Sequence, residues 1–93
     1  MPNVNSLSTW RLYVIVDRAA AKHPDLAWVT EQAILGGADA IQLRDKQAST
    51  RTLIEEAQAV LRVTRAANIP LILNDRVDVA VAVGAEGVHM GQD

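Results

Sequence analysis

Twice in this chain a run of large aliphatic residues drives straight into charge. Leu12-Tyr13-Val14-Ile15-Val16 ends in Asp17-Arg18, and Pro70-Leu71-Ile72-Leu73 ends in Asn74-Asp75-Arg76. Continuous apolar runs of this kind, β-branched in the first case and opened by a proline in the second, fit parallel strands covered on both faces better than half-exposed antiparallel ones. In α/β sheets, ligands gather at the carboxyl ends of such strands, so the polar residues closing each run are candidate site residues. For Asp75 the alternative is a helix cap, its carboxylate satisfying free backbone N–H groups of the next helix.

Between the two runs the apolar period changes. Leu26, Val29, Ala33 and Ile34 fall on one helical face, with Asp25 in the first turn and Gly36-Gly37 as the stop. A second strand follows in Asp39-Ala40-Ile41-Gln42-Leu43-Arg44-Asp45-Lys46. Here period two sets Ile41 and Leu43 on one face and Gln42, Arg44 and Lys46 on the other for as long as the backbone stays extended. Ser49 or Thr50 then caps a long helix with the apolar stripe Leu53, Ile54, Ala57, Val60 and Leu61, ended by Asn68. After the strand Pro70–Leu73 the pattern predicts a short helix over 77–83, stopped by Gly84, and a fourth strand opening at Gly87-Val88-His89-Met90. Residues 1–10 show no periodicity and read as a loose N-terminal arm, so that 11–93 carry the first βα units.

The segment Gly37-Ala38-Asp39-Ala40-Ile41-Gln42-Leu43 is echoed by Gly84-Ala85-Glu86-Gly87-Val88-His89-Met90, an offset of 84 − 37 = 47 positions. The repeating unit is therefore a pair of βα modules. Strands alternating with amphipathic helices imply parallel pairing. Four strands make the N-terminal half of a (β/α)8 TIM barrel, a fold of about 250 residues when closed; the 93 residues stop short of closure. Edges left open in this way predict a homo-oligomer or aggregation through the unpaired strands.

Composition narrows the chemistry. With 9 basic and 11 acidic residues the chain has no field to gather nucleic acid or an anionic membrane, so anion binding must be local. No cysteine occurs, which removes disulfides, thiolate metal sites and cysteine nucleophiles and makes the cytoplasm the default location. No apolar run approaches the roughly 18 residues of a membrane span. P-loop, G-x-G-x-x-G, H-E-x-x-H and nucleophile-elbow motifs are all absent.

What remains is a mouth. If the strands lie side by side, Asp17, Gln42, Arg44, Lys46, Asn74 and Asp75 converge at their C-terminal ends. Arginine offers a planar fork for two phosphate oxygens, lysine a movable point charge, and a neighbouring carboxylate is what Mg2+ takes as its protein anchor. Together they describe a diphosphate–Mg2+ site, against the plainer reading of an exposed charged loop without a ligand. Gln42, polar between Ile41 and Leu43, points inward and needs a partner there. His89, without a cluster of ligands, is expected to be packed and hydrogen-bonded. Trp10 and Trp28 are expected to be packing residues.

The segments Tyr13–Asp17, Gly36–Lys46, Pro70–Arg76 and Gly87-Val88-His89-Met90-Gly91-Gln92-Asp93 together resemble the N-terminal half of thiamine-phosphate synthases. That resemblance implies a Mg2+-dependent transferase of thiamine biosynthesis, joining hydroxymethylpyrimidine diphosphate to thiazole phosphate and releasing pyrophosphate. It further implies that Gln42, Leu43, Arg44, Asp45, Lys46 and Asn74 hold the pyrimidine diphosphate, with Arg44 and Lys46 acting on the leaving group, and that Asp75 is a Mg2+ ligand. Val16 stands where the family usually has threonine. The family places a second metal ligand after the acid matched by Asp93, and the thiazole-phosphate loops lie on later strands. These 93 residues alone are therefore expected not to turn over substrate. The alternatives are a non-catalytic half barrel that retains diphosphate, and a relative of the thiazole tautomerases, which are expected to lack the pair kept here at Asn74-Asp75.

Overall fold

The structure, a computed structural model, describes residues 11–90. The arm over 1–10, with Trp10, and the closing Gly91-Gln92-Asp93 lie outside the described residues. Four strands, β1 (Tyr13–Asp17), β2 (Ala40–Arg44), β3 (Leu71–Asn74) and β4 (Gly87–His89), alternate with three helices, α1 (Leu26–Leu35), α2 (Thr50–Ala66) and α3 (Val77–Val83). The sheet order is β1-β2-β3-β4 and every pairing is parallel, as the alternation predicts.

Register sorts the side chains onto two faces. Val14 pairs with Ile41 and Val16 with Leu43, while Ile41 and Leu43 pair with Leu71 and Leu73. These residues turn to the helices. Val16, Ile41, Leu43, Leu71 and Leu73 form one buried cluster with Leu26 of α1, Leu53, Ala57, Val60 and Leu61 of α2, and Val79 and Ala80 of α3. All three helices therefore cover the same face. By period two the other face carries Tyr13, Ile15 and Asp17 of β1, Ala40, Gln42 and Arg44 of β2, Ile72 and Asn74 of β3, and Gly87 and His89 of β4. That face is open in part: Ile15 is 54% exposed and Tyr13 39%. Burial on both faces, expected for β1 from its continuous apolar run, is thus confined to the helix side, because no second layer covers the other among the described residues.

Helix ends follow local chemistry. Asp25 is the N-cap of α1 rather than a first-turn residue, its Oδ1 accepting from the Ala27 and Trp28 amides at 3.0 and 3.3 Å. Ser49, not Thr50, caps α2, its Oγ accepting from the Thr52 amide at 3.1 Å. All three helices stop alike, on a left-handed residue followed by a bond back across five positions. Gly37, Asn68 and Gly84 have φ of 105°, 58° and 77°. The next amides, Ala38, Ile69 and Ala85, donate to Ala33, Thr64 and Ala80 carbonyls at 3.1, 2.8 and 2.9 Å. Each chain reversal then drops into a strand, so every strand leaves in the same direction and ends at the same edge of the sheet.

Candidate functional site

Gln42 is 3% exposed and sits at the centre of a hydrogen-bonded chain across three strands. Its Nε2 donates to the Tyr13 hydroxyl at 2.8 Å, and its Oε1 accepts from Asn74 Nδ2 at 3.0 Å. The expected inward partner of Gln42 is therefore double. One rung nearer the edge, Asp17 and Arg44 are register partners, and Arg44 Nη1 donates to Asp17 Oδ2 at 2.7 Å. Asp17 is itself braced, its Oδ1 accepting from the Ala19 amide at 2.9 Å. The Arg44 nitrogens other than Nη1 have no partner among the described residues and remain available to a bidentate anion.

Beyond Arg44 the strand stops, which corrects the expected face. Asp45–Gln47 is a turn, with the Gln47 amide donating to Asp45 Oδ1 at 3.3 Å and the Ala48 amide to the Asp45 carbonyl at 3.4 Å. Gln42 and Arg44 share the open face, but Lys46 rides the exposed turn between β2 and α2. An acid one residue after a strand offers the backbone a local hydrogen bond that competes with extension. Leu43 is fully buried in the core cluster, so only its backbone is placed to meet a ligand.

Asp75 has φ of 58° and is exposed. Its amide donates to the His89 carbonyl at 2.8 Å, which extends the β3–β4 ladder by one bond as the chain turns away. The helix-cap alternative for Asp75 is overturned: the N-cap of α3 is Arg76, with no side-chain cap bond. A non-glycine residue in the left-handed region is costly, by about 1 kcal/mol or more, and such residues cluster at sites. Arg76 is committed elsewhere, Nη2 to Thr50 Oγ1 at 2.8 Å and to Asp78 Oδ2 at 2.9 Å. The bond to Asp78 raises the Arg76 pKa and lowers that of Asp78.

Two hollows flank the β2–α2 turn. One of about 300 Å3 is lined by Asp45, Lys46, Ala48, Asn74, Asp75 and Arg76. Another of about 230 Å3 is lined by Asp17, Arg18, Arg44, Asp45 and Lys46, among others. The structure thus brings Arg44, Asp45, Lys46, Asn74 and Asp75 around one turn, with Gln42 buried beneath. Among the described residues no three His, Cys, Asp or Glu side chains gather to hold a metal. Asp75 nevertheless suits Mg2+, a hard cation that commonly takes one or two carboxylates and completes its shell with phosphate oxygens and water.

Two expectations fail and two residues were missed. His89 is exposed rather than packed, because it lies on the open face of β4, whose outer edge is unpaired among the described residues. Trp28 stacks on His23, ring centroids 4.4 Å apart, and stays 45% exposed. Tyr13, read as one more member of an apolar strand, anchors the Gln42 chain. Glu56, one of two adjacent acids on α2, is drawn under the β2–α2 turn, where burial and then Asp45 raise its pKa. Neither carries a sequence signal, since a tyrosine in a strand and a second glutamate on a helix are both ordinary.

A family model described as thiamine monophosphate synthase matches residues 12–93. The thiamine-phosphate synthase of Chloroflexus aurantiacus is 55% identical over 84 residues, an alignment covering 90% of this chain and 39% of the relative. That of Azorhizobium caulinodans is 50% identical over 93 residues, covering 100% and 42%. A solved structure, thiamine phosphate pyrophosphorylase from Pyrococcus furiosus, superposes with a TM-score of 0.80 at 38% identity, covering 90% of this chain and 40% of that one. The chain spans about 40% of the length of these relatives.

Proposed function

The chain belongs to the thiamine monophosphate synthase family, and from that membership we propose that it supplies the pyrimidine-diphosphate side of a thiamine-phosphate synthase. The reaction is transfer of a hydroxymethylpyrimidine from its diphosphate to a thiazole phosphate, with release of pyrophosphate. The observation that carries this reading is the meeting of Arg44, Lys46, Asn74 and Asp75 around one turn at the C-terminal edge of β2 and β3.

Breaking a carbon–oxygen bond to expel pyrophosphate builds negative charge on the departing oxygens, and catalysis requires fixed positive charge where it builds. Arg44, held by Asp17, presents its free edge to one phosphoryl group. Lys46, on the turn, follows the diphosphate as a movable charge. Gln42 and Asn74, locked to each other at 3.0 Å, offer amide donors and acceptors to the heterocycle. Asp75 would hold Mg2+, which supplies positive charge against the diphosphate oxygens when bound. Leu43 and Asp45 contribute through backbone and turn geometry. The substrates are small molecules, the location is the cytoplasm, and self-association runs through the open strand edges.

Pyrophosphate calorimetry with and without Mg2+ tests the reading. Asp75→Ala should lower Mg2+-dependent affinity by at least about tenfold, and in a protein competent for turnover should cut the rate by orders of magnitude while raising the Mg2+ requirement. An Asp75→Ala protein with unchanged Mg2+-dependent binding would take Asp75 out of the site.

A further inference from the structure

We propose that Glu56 is a positioning residue, a protonated carboxyl that ties the β1–α1 loop to the β2–α2 turn and so holds Lys46 in place. The proposal rests on the reading that this turn grips a diphosphate, and adds to it a residue and a control by pH.

The Glu56 side chain is only 12% exposed. Its Oε2 accepts from Arg18 Nη2 at 3.1 Å and Nε at 3.3 Å, and Arg18 Nη1 donates in turn to the Pro24 carbonyl at 2.7 Å. The guanidinium is thereby spent on one carboxyl oxygen and the loop. Glu56 Oε1 is sealed from solvent and has no donor. A bare carboxylate oxygen in that position would be strongly unfavourable.

A second acid lies beside the Glu56 side chain. Asp45, at the head of the turn, faces Glu56, and two carboxyls within hydrogen-bond reach of each other are stable only with a proton between them. The shared proton converts an orphaned oxygen into an O–H donor to the Asp45 carboxylate. Burial and Asp45 both favour keeping it, and Arg18 opposes them. Arg18 and Asp45 are the charged groups that bear on Glu56 among the described residues.

The turn gains from this tie. Its own hydrogen bonds, 3.3 Å from the Gln47 amide and 3.4 Å from the Ala48 amide, are at the long limit. When the pair gives its proton to solvent, two carboxylates face each other and the turn loosens. Because the proton is held more tightly in the folded chain than by a free glutamate, the tie is complete at low pH. It is lost as pH rises through the folded value.

Carboxyl and amide NMR of the 13C,15N-labelled chain decides the matter. Glu56 should titrate above the ordinary glutamate range, and the Asp45, Lys46 and Gln47 amides should shift with the same midpoint. In Glu56→Gln, which keeps a neutral donor for Asp45 and an acceptor for Arg18, those amides should hold their low-pH positions throughout; in Glu56→Leu they should not. A Glu56 midpoint at the free-glutamate value, or turn amides that titrate identically in Glu56→Gln, would overturn the proposal. Pyrophosphate affinity should fall about tenfold across the Glu56 transition relative to Glu56→Gln, the loss of one charge-assisted contact, and the ratio removes the ligand's own titration. Coupled NMR shifts with no pyrophosphate binding in any variant would leave the tie standing and remove the diphosphate reading instead.

Discussion

Arg44 reaches Asp17 through a single nitrogen, and that economy sets its expected sensitivity. Lysine in its place would keep the charge and the contact to Asp17 but lose the second, parallel donor edge. Arg44→Lys should therefore weaken pyrophosphate binding by about tenfold with little effect on the unfolding midpoint. Equal affinity in calorimetry would remove Arg44 from the site. Gln42 and Arg44 were legible because a polar residue alternating with Ile41 and Leu43 must take the opposite face of the strand from them, and both do. Asp75 was legible as an acid after an apolar run, though not the left-handed backbone that turns it out of the strand. Alternation puts Lys46 on the strand face because alternation alone does not report where extension ends. The signal that ends it is Asp45, whose side chain takes the Gln47 amide. Tyr13 and Glu56 were hidden for a different reason: their importance lies in partners 29 and 11 positions away along the chain, Gln42 and Asp45, and only packing brings these together.

At the scale of elements, the echo between 37–43 and 84–90 turns out to be a repeat of hydrogen bonds as well as of residues. The Gly37 and Gly84 amides donate to the Ile34 and Val81 carbonyls, and the Asp39 and Glu86 amides donate to Leu12 and Leu71. The acid at each position then reaches the start of the preceding strand: Asp39 Oδ2 accepts from the Arg11 and Leu12 amides at 2.8 and 3.0 Å, and Glu86 Oε1 from the Leu71 amide at 2.8 Å. An acid one residue before a strand thus closes the bottom of the neighbouring strand, twice. For Asp39 the Arg11 amide, then the Leu12 amide, holds the carboxyl below its usual pKa. A depressed folded value means stability present above the unfolded pKa of about 3.9 and lost as pH falls through the folded one. The gap in urea midpoint between wild type and Asp39→Asn should accordingly close in acid. A gap constant from about pH 6 to about pH 2.5 would show that these bonds do not depend on the charge. The strand and helix order was legible throughout, because the aliphatic stripes of α2 and the runs of β1 and β3 leave no competing period. The buried Thr30 and Thr64 were not, since each satisfies its hydroxyl on its own helix, at the Leu26 and Leu61 carbonyls, and so joins the core unannounced.

At the scale of the whole molecule, helices seal one face of the sheet, while among the described residues the other is covered only in part. Three helices seal Val16, Ile41, Leu43, Leu71 and Leu73, whereas across the sheet Ile15 and Tyr13 stand half in solvent beside the polar chain of Gln42 and Asn74. Among the described residues the outer edges of β1 and β4 are unpaired, and Leu12 and Met90, close to those edges, are exposed as well. Unpaired parallel strands flanked by apolar side chains recruit other strands. The nearest supply is a second copy of the same chain, and a two-fold arrangement would set each β1 edge and open face against its equivalent. The contact would be loose, because it would have to cover the polar Gln42, Arg44 and Asn74 along with the apolar Ile15 and Tyr13, so association should be reversible and concentration-dependent. Sedimentation of the 10.1 kDa chain should therefore show a mass rising toward about twice that value with concentration. Ile15→Glu, which puts a charge on the open face without touching the helix side, should return it to monomer. Leu35→Glu, on the outer helical layer where Leu35 is already exposed, should not. A chain that stays monomeric at every concentration, or a dimer abolished equally by Leu35→Glu, would show that the open face is not what holds the copies together.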